Sequence, residues 1–126
     1  MMSFKPLFYL LIGITLLSAF QCPRKMQKVM LSKIKFDYSK IDDNGLRNGS
    51  VSVDYEFCIP ANDSIVQEVW GIAPAMKVMK NSKGRIGCTN QQWLVINTTH
   101  SPEWKKQLYA IAYLDYVEEI IETFYE

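Results

Sequence analysis

The sequence predicts an α+β fold in which an antiparallel sheet carries two helices on one face and is preceded by one extra strand. Three observations predict it. Segments that alternate apolar and polar residues flank two segments with apolar residues at helical spacing. After the first strand the order is strand, helix, strand, strand, helix, strand. Two cysteines stand at the ends of strands that this order makes neighbours.

The composition is that of one small globular domain. The chain has 126 residues, of which 48% are hydrophobic and 21% are charged, which excludes a disordered chain and a protein with several membrane spans. Fourteen Lys and Arg against thirteen Asp and Glu give a net charge of +1. Nucleic-acid-binding domains are typically far more basic, so we expect no nucleic-acid partner.

Residues 1–21 are predicted to be a signal peptide. Lys5 is the cation of a short n-region, and an apolar run extends from Leu7 to Phe20. A helix of about 14 residues is about 21 Å long, which is short of the roughly 30 Å hydrocarbon core. The run therefore favours a secretory signal over a membrane span.

Cleavage is predicted before Cys22. Ala19 supplies the small residue that an ordinary signal peptidase needs, and the same segment resembles a degenerate lipobox with Cys22 as the lipidated residue. An uncleaved N-terminal anchor is the third alternative. All three place the remaining chain outside the cytoplasm, so we expect a secreted protein or a membrane-anchored lipoprotein of the cell envelope.

Beyond the leader, the predicted organisation is a tether over residues 22–28 and a single α+β domain over residues 29–126. The tether is basic, and the charge along the chain falls into basic and acidic blocks. Two interpretations stay open for the basic segment. It lies against anionic lipid headgroups, or neighbouring acidic segments neutralise it in the fold.

The cysteines predict one disulfide. In an oxidising compartment three cysteines leave one unpaired, and lipidation of Cys22 removes the odd one. We therefore expect Cys58 to pair with Cys88. Three cysteines without CxxC spacing and a single histidine do not form a typical zinc site, so we expect no metal and no cofactor.

Two segments in the first half of the domain have strand periodicity. Residues 30–38 place apolar side chains on one parity and Lys33, Lys35 and Asp37 on the other. After a turn-rich connection, residues 51–59 strictly alternate between the two faces of a strand. The apolar residues at the odd positions are Val51, Val53, Tyr55, Phe57 and Ile59. Pro60 ends this second strand.

The next segments are a helix and a strand. Asn62, Asp63 and Ser64 offer N-caps, and an apolar stripe follows at i, i+4 and i+7 in Ile65, Val69 and Ile72. Residues 75–80 are predicted to be a strand, and residues 81–84 a turn.

The remaining elements complete the order. Residues 93–96 are a continuous apolar run typical of a buried strand. Ser101 is the expected N-cap of a second helix, with Pro102 at its first position. Its apolar stripe consists of Trp104, Leu108, Ile111 and Ala112. Residues 117–125 are predicted to be the last strand.

This βαββαβ order resembles the ferredoxin-like sandwich, which has a four-stranded antiparallel sheet with both helices on one face. In that topology the first and third core strands are antiparallel neighbours at the centre of the sheet. Cys58 closes the first and Cys88 precedes the third, so the cysteine placement agrees with the strand order.

The strongest candidate binding site is a basic loop. Lys80, Lys83 and Arg85 follow Lys77 in a stretch without an acidic residue, and Gly84 and Gly87 flank the arginine. Cations and exposed backbone amides together suit a phosphate, a carboxylate or an acidic protein. The alternative is a solvated hairpin without a ligand.

Two further groups of residues are weaker candidates. His100 is the only histidine, and a small extracytoplasmic enzyme would pair it with Glu103 or Arg85. Ser52, Asp54 and Glu56 are expected on the open face of the sheet as solvated side chains, where carboxylates disfavour RNA binding. We expect a non-enzymatic binding module. The alternatives are the His100 enzyme and a structural envelope protein without a specific ligand.

Overall fold

A computed structural model describes residues 24–125 of the chain. The predicted signal peptide and the predicted lipidation site at Cys22 lie outside the described residues. The fold is mixed α+β, as predicted, with three α-helices and two antiparallel sheets among the described residues. The elements, in chain order, are α1 Arg24–Leu31, a 3-10 helix Tyr38–Lys40, β1 Leu46–Arg47, β2 Val51–Ser52, β3 Asp54–Pro60, α2 Asp63–Ile72, β4 Lys77–Met79, β5 Gln92–Thr98, α3 Trp104–Ala112 and β6 Ile121–Glu122.

The larger sheet has the strand order β4-β5-β3-β6, and every neighbouring pair is antiparallel. The central pair is β3 and β5, in a register that runs from Asp54 opposite Thr98 to Pro60 opposite Gln92. The expectation that these two strands are antiparallel central neighbours is confirmed.

The predicted disulfide is present. Cys58 and Cys88 are bonded with their Cα atoms 5.5 Å apart, across a sequence separation of 30 residues. Cys58 lies near the end of β3. Cys88 lies in the loop before β5, which is the strand next to β3. The bond therefore ties the loop before β5 to the centre of the sheet.

The core lies between the sheet and the helices. Tyr55, Phe57 and Ile59 of β3 are fully buried on one face, as their alternation predicts. Helix α3 buries its predicted stripe against them, and α2 buries Val69. Local periodicity thus sets which side of each of these elements faces the core.

The prediction of an extra N-terminal strand over residues 30–38 is wrong. The segment begins in α1, makes a single parallel bridge between Ile34 and Ile120, and ends in the 3-10 helix. The side chain of Asp37 accepts a hydrogen bond from the Ser39 backbone N–H at 3.1 Å and so caps that turn. Ile34 is nevertheless buried. The alternation therefore predicts which side chains are buried, but it does not predict that the segment pairs as a strand.

Three element boundaries also differ from the prediction. The strand over residues 51–59 divides at Val53, because β2 turns away to pair with β1. The last strand is confined to Ile121–Glu122. Helix α3 begins at Trp104 rather than after Ser101, and the Ser101 hydroxyl accepts a hydrogen bond from Gln107 Nε2 at 3.0 Å instead of capping the helix.

Candidate functional site

The predicted basic loop crosses the sheet face that lies opposite the helices. A Cβ atom at Gly84 would lie 2.4 Å from Glu56 Oε2 and 2.8 Å from a methyl carbon of Leu94, so the loop backbone rests directly on β3 and β5. Gly84 also has a φ of +63°, which is a conformation that favours glycine. The loop therefore covers part of a face that the sequence analysis expected to be open.

The expectation that Glu56 is a solvated residue is wrong. Glu56 is only 2% exposed. Its Oε2 accepts a hydrogen bond from the Ile86 backbone N–H at 3.1 Å, and its Oε1 accepts one from Thr123 Oγ1 at 3.0 Å. A buried carboxylate needs such partners, and here they fasten the loop and the C-terminal segment to the central strand.

The three cations of the loop have different surroundings. The ammonium of Lys80 lies 4.2 Å from the ring centre of Trp93 and 3.8 Å from a carboxylate oxygen of Asp63. Lys83 is exposed. The guanidinium carbon of Arg85 lies 5.7 Å from the ring centre of Phe124. Lys80 thus contacts the α2 side of the molecule, whereas Arg85 contacts the C-terminal segment.

Arg85 contributes to a second group of cations that the sequence analysis did not identify. It lines a cavity of about 410 Å³ whose other residues come from the segment after α1, from β1 and from the C-terminal segment. They are Lys35, Phe36, Asp37, Arg47, Ile121, Glu122 and Phe124. We call this the Arg85–Phe124 cavity.

The charges in the Arg85–Phe124 cavity are arranged unequally. Arg47 forms a salt bridge with Glu122, and the hydrogen bond in that pair raises the pKa of the Arg47 guanidinium. Lys35 is exposed and has no ion-pair partner among residues 24–125. The cavity thus contains a paired cation and a lysine that is available to an anion.

Exposed apolar side chains lie beside this cavity. Phe124 is 58% exposed and Tyr125 is 71% exposed, and Val51 at the start of β2 is 62% exposed. These three residues also line a neighbouring depression of about 310 Å³. Aromatic side chains next to arginine are typical of the energetic centres of protein interfaces.

His100 shares its cavity with neither of its predicted partners. It lines a separate cavity of about 290 Å³ that includes Asp54, Lys77 and Tyr125, but neither Glu103 nor Arg85. In this cavity the Tyr125 hydroxyl donates to Asp54 Oδ2 at 2.7 Å, and that hydrogen bond raises the pKa of the Tyr125 phenol. The carboxylate that lines the same cavity as His100 is therefore that of Asp54.

Sequence signals for the cavity were weak because its residues come from distant segments. The residues next to Lys35 and Arg47 in the sequence form no motif, and the sequence predicts Phe124 only as part of the last strand.

Within the described part of the chain, no group of three or more His, Cys, Asp or Glu side chains is arranged to hold a metal ion. No helix between residues 24 and 125 is long and apolar enough to cross a membrane. Comparisons with protein-family models, curated proteins and solved structures found no match to this chain.

Proposed function

We propose that this protein is an exported, non-enzymatic binding module that recognises an acidic segment of a partner protein at the Arg85–Phe124 cavity. The single observation that carries the proposal is that Arg85, Lys35 and Arg47 line one cavity with the exposed ring of Phe124, and that Arg85 contacts this ring. Such a surface offers an aromatic contact for apolar atoms and cations for carboxylates. An acidic partner suits this surface better than a neutral one, because Lys35 is available to form an ion pair.

The rigidity of the loop supports a preformed site. The Cys58–Cys88 bond holds the loop at one end, and the Glu56 hydrogen bond holds Ile86, which is the residue after Arg85. A surface that is fixed before binding loses less conformational entropy when a partner docks. This arrangement favours a binding surface over a mobile hairpin.

The proposed setting is the cell envelope. The disulfide is typical of an oxidising compartment, and a leader ending before Cys22 with lipidation of that residue would anchor the chain at a membrane. We further propose that the domain is a ferredoxin-like sandwich. The support is the β4-β5-β3-β6 order, in which α2 connects β3 to β4 and α3 connects β5 to β6, each across one intervening strand. The enzymatic alternative would now use His100 with Asp54.

The test is recovery of partners from an envelope extract. Replacing Lys80, Lys83 and Arg85 together by Ser is expected to weaken an acidic-partner complex by about 1 to 3 kcal/mol and to flatten its salt dependence. The separate surroundings of Lys80 and Arg85 allow a sharper comparison. Lys80→Ser alone should retain the partner, whereas Lys35→Ser with Arg85→Ser should lose it.

The matched control is Lys105→Ser with Lys106→Ser, which removes two exposed cations from α3. Melting temperatures of all variants exclude a loss of folding as the cause. Equal recovery by the wild type and by the Lys35 and Arg85 double variant would contradict the proposal. If no variant recovers a partner while His100→Ala changes a cellular phenotype, the enzymatic alternative is supported instead.

A further inference from the structure

Helix α1 has an apolar side that the described residues leave largely uncovered. None of its residues is buried. Met26 is 50% exposed and Val29 is 59% exposed, and residues three apart lie on the same side of a helix. An isolated helix of eight residues is marginal in water and depends on packing for stability. The exposed Met26 and Val29 side therefore has room for a further contact.

The charges of α1 indicate the nature of that contact. The helix contains Arg24, Lys25 and Lys28 and no acidic residue. None of the three cations has an ion-pair partner among residues 24–125. The fold therefore does not support the interpretation that neighbouring acidic segments neutralise these three cations.

We propose that α1 lies along the surface of an anionic lipid bilayer, with Met26 and Val29 directed into the interface. Lys25 precedes Val29 by four residues and Lys28 precedes it by one, so both lie along the edge of the apolar side that is next to Val29. Long basic side chains bury their methylene groups in such a boundary and keep their charges at the headgroups. An acidic protein would satisfy the cations equally well, but the exposed apolar pair beside them matches the layered polarity of a bilayer surface.

The position of α1 in the chain agrees with this proposal. The helix begins two residues after Cys22, where the sequence predicts a lipid anchor. Two extended residues span only about 7 Å, so an anchored chain would hold α1 at the headgroups. The exposure and the charge of α1 are independent of the anchor and of the Arg85–Phe124 cavity.

The test uses the full chain in lipid vesicles and measures hydrogen exchange of the amides of residues 24–31. Vesicles of phosphatidylcholine alone are compared with an equal mixture of phosphatidylcholine and phosphatidylglycerol. The leader is the same in both, so a difference reports the headgroup charge. Each cation near an anionic surface contributes about fivefold to binding, and we expect exchange about 10- to 100-fold slower in the anionic vesicles.

Variants separate charge from folding. Arg24→Gln, Lys25→Gln and Lys28→Gln together should abolish the slowing, because glutamine keeps a helix propensity similar to that of lysine. The matched control, with Lys40, Lys105 and Lys106 replaced by Gln, should retain it. Raising the salt concentration to about 1 M, where the Debye length is about 3 Å, should abolish it in the unaltered chain.

Two outcomes would overturn the proposal. Equal exchange of residues 24–31 in the two kinds of vesicle would show that anionic lipid does not contact α1. Protection in neutral vesicles that increases with protein density would identify a second copy of the chain as the occupant. Neither outcome bears on the acidic-partner proposal, because α1 contributes no residue to the Arg85–Phe124 cavity.

Discussion

Glu56 Oε2 accepts a hydrogen bond of 3.1 Å from the backbone N–H of Ile86, and this contact joins the central strand of the sheet to the loop that carries Arg85. The other carboxylate oxygen accepts from Thr123, which is the residue before Phe124. One buried side chain thus positions both partners of the Arg85–Phe124 contact.

Glu56→Gln is expected to destabilise the fold by about 1 to 3 kcal/mol. Glutamine retains one acceptor oxygen, but its amide group cannot accept the second hydrogen bond. Urea unfolding measures the loss, and Glu103→Gln, at an exposed position, is the control. Hydrogen exchange should also become faster at Ile86. An unchanged unfolding midpoint would show that the carboxylate does not hold the loop.

Replacing Cys58 and Cys88 together by Ala should lower the free energy of unfolding by about 3 to 4 kcal/mol, because the bond closes a loop of about thirty residues. The strands should remain, since the core lies on the other face. Peptide mapping without reductant checks the bond in the native chain. Quantitative alkylation of both thiols in the folded protein would contradict it.

Gly45→Ala should destabilise the fold by more than about 3 kcal/mol. A Cβ atom there would lie 1.8 Å from the backbone oxygen of Thr99, and φ is +79°. Gly49 has a similar φ of +71° with nothing within 4 Å of the added atom, so Gly49→Ala measures the backbone strain alone. Thermal unfolding of the two variants separates the clash from the strain. Equal losses would mean that the hairpin is not packed on Thr99.

Stability should fall as the pH rises above about 10, the ordinary pKa of tyrosine. Burial raises the pKa of Tyr55, so the unfolded chain loses this proton first and the folded state binds more protons. The contribution is present below pH 10 and is lost above it, with a slope of up to about 1.4 kcal/mol per pH unit.

The variant Tyr55→Phe tests this pH dependence. It also removes the hydroxyl that accepts a hydrogen bond from Asn97 Nδ2 at 2.7 Å, so its stability should be lower than that of the wild type below pH 10. Its slope between pH 10 and 11 should nevertheless be shallower than that of the wild type. Parallel slopes in urea unfolding would show that Tyr55 titrates normally in the folded chain.

The sequence by itself determined the local features of this protein. Alternation identified Tyr55, Phe57 and Ile59 as core residues, and helical spacing identified Val69 and the buried stripe of α3. The number of cysteines predicted the disulfide, and the order of the elements predicted the central strand pair, with which the cysteine placement agreed. The core residues follow from the period of single elements. The disulfide and the strand pair follow from the number of cysteines and from the order of the elements along the chain. A single sequence contains all of this information.

Only the tertiary structure decided what covers each surface. The period of residues 30–38 is that of a strand, yet pairing needs a partner along its length, and among residues 24–125 only Ile120 provides one. Glu56 alternates like an exposed residue but is buried because a loop thirty residues later folds over it. The Arg85–Phe124 cavity is likewise assembled from distant segments. Side-chain direction is a local property, whereas coverage depends on contacts between segments far apart in the chain.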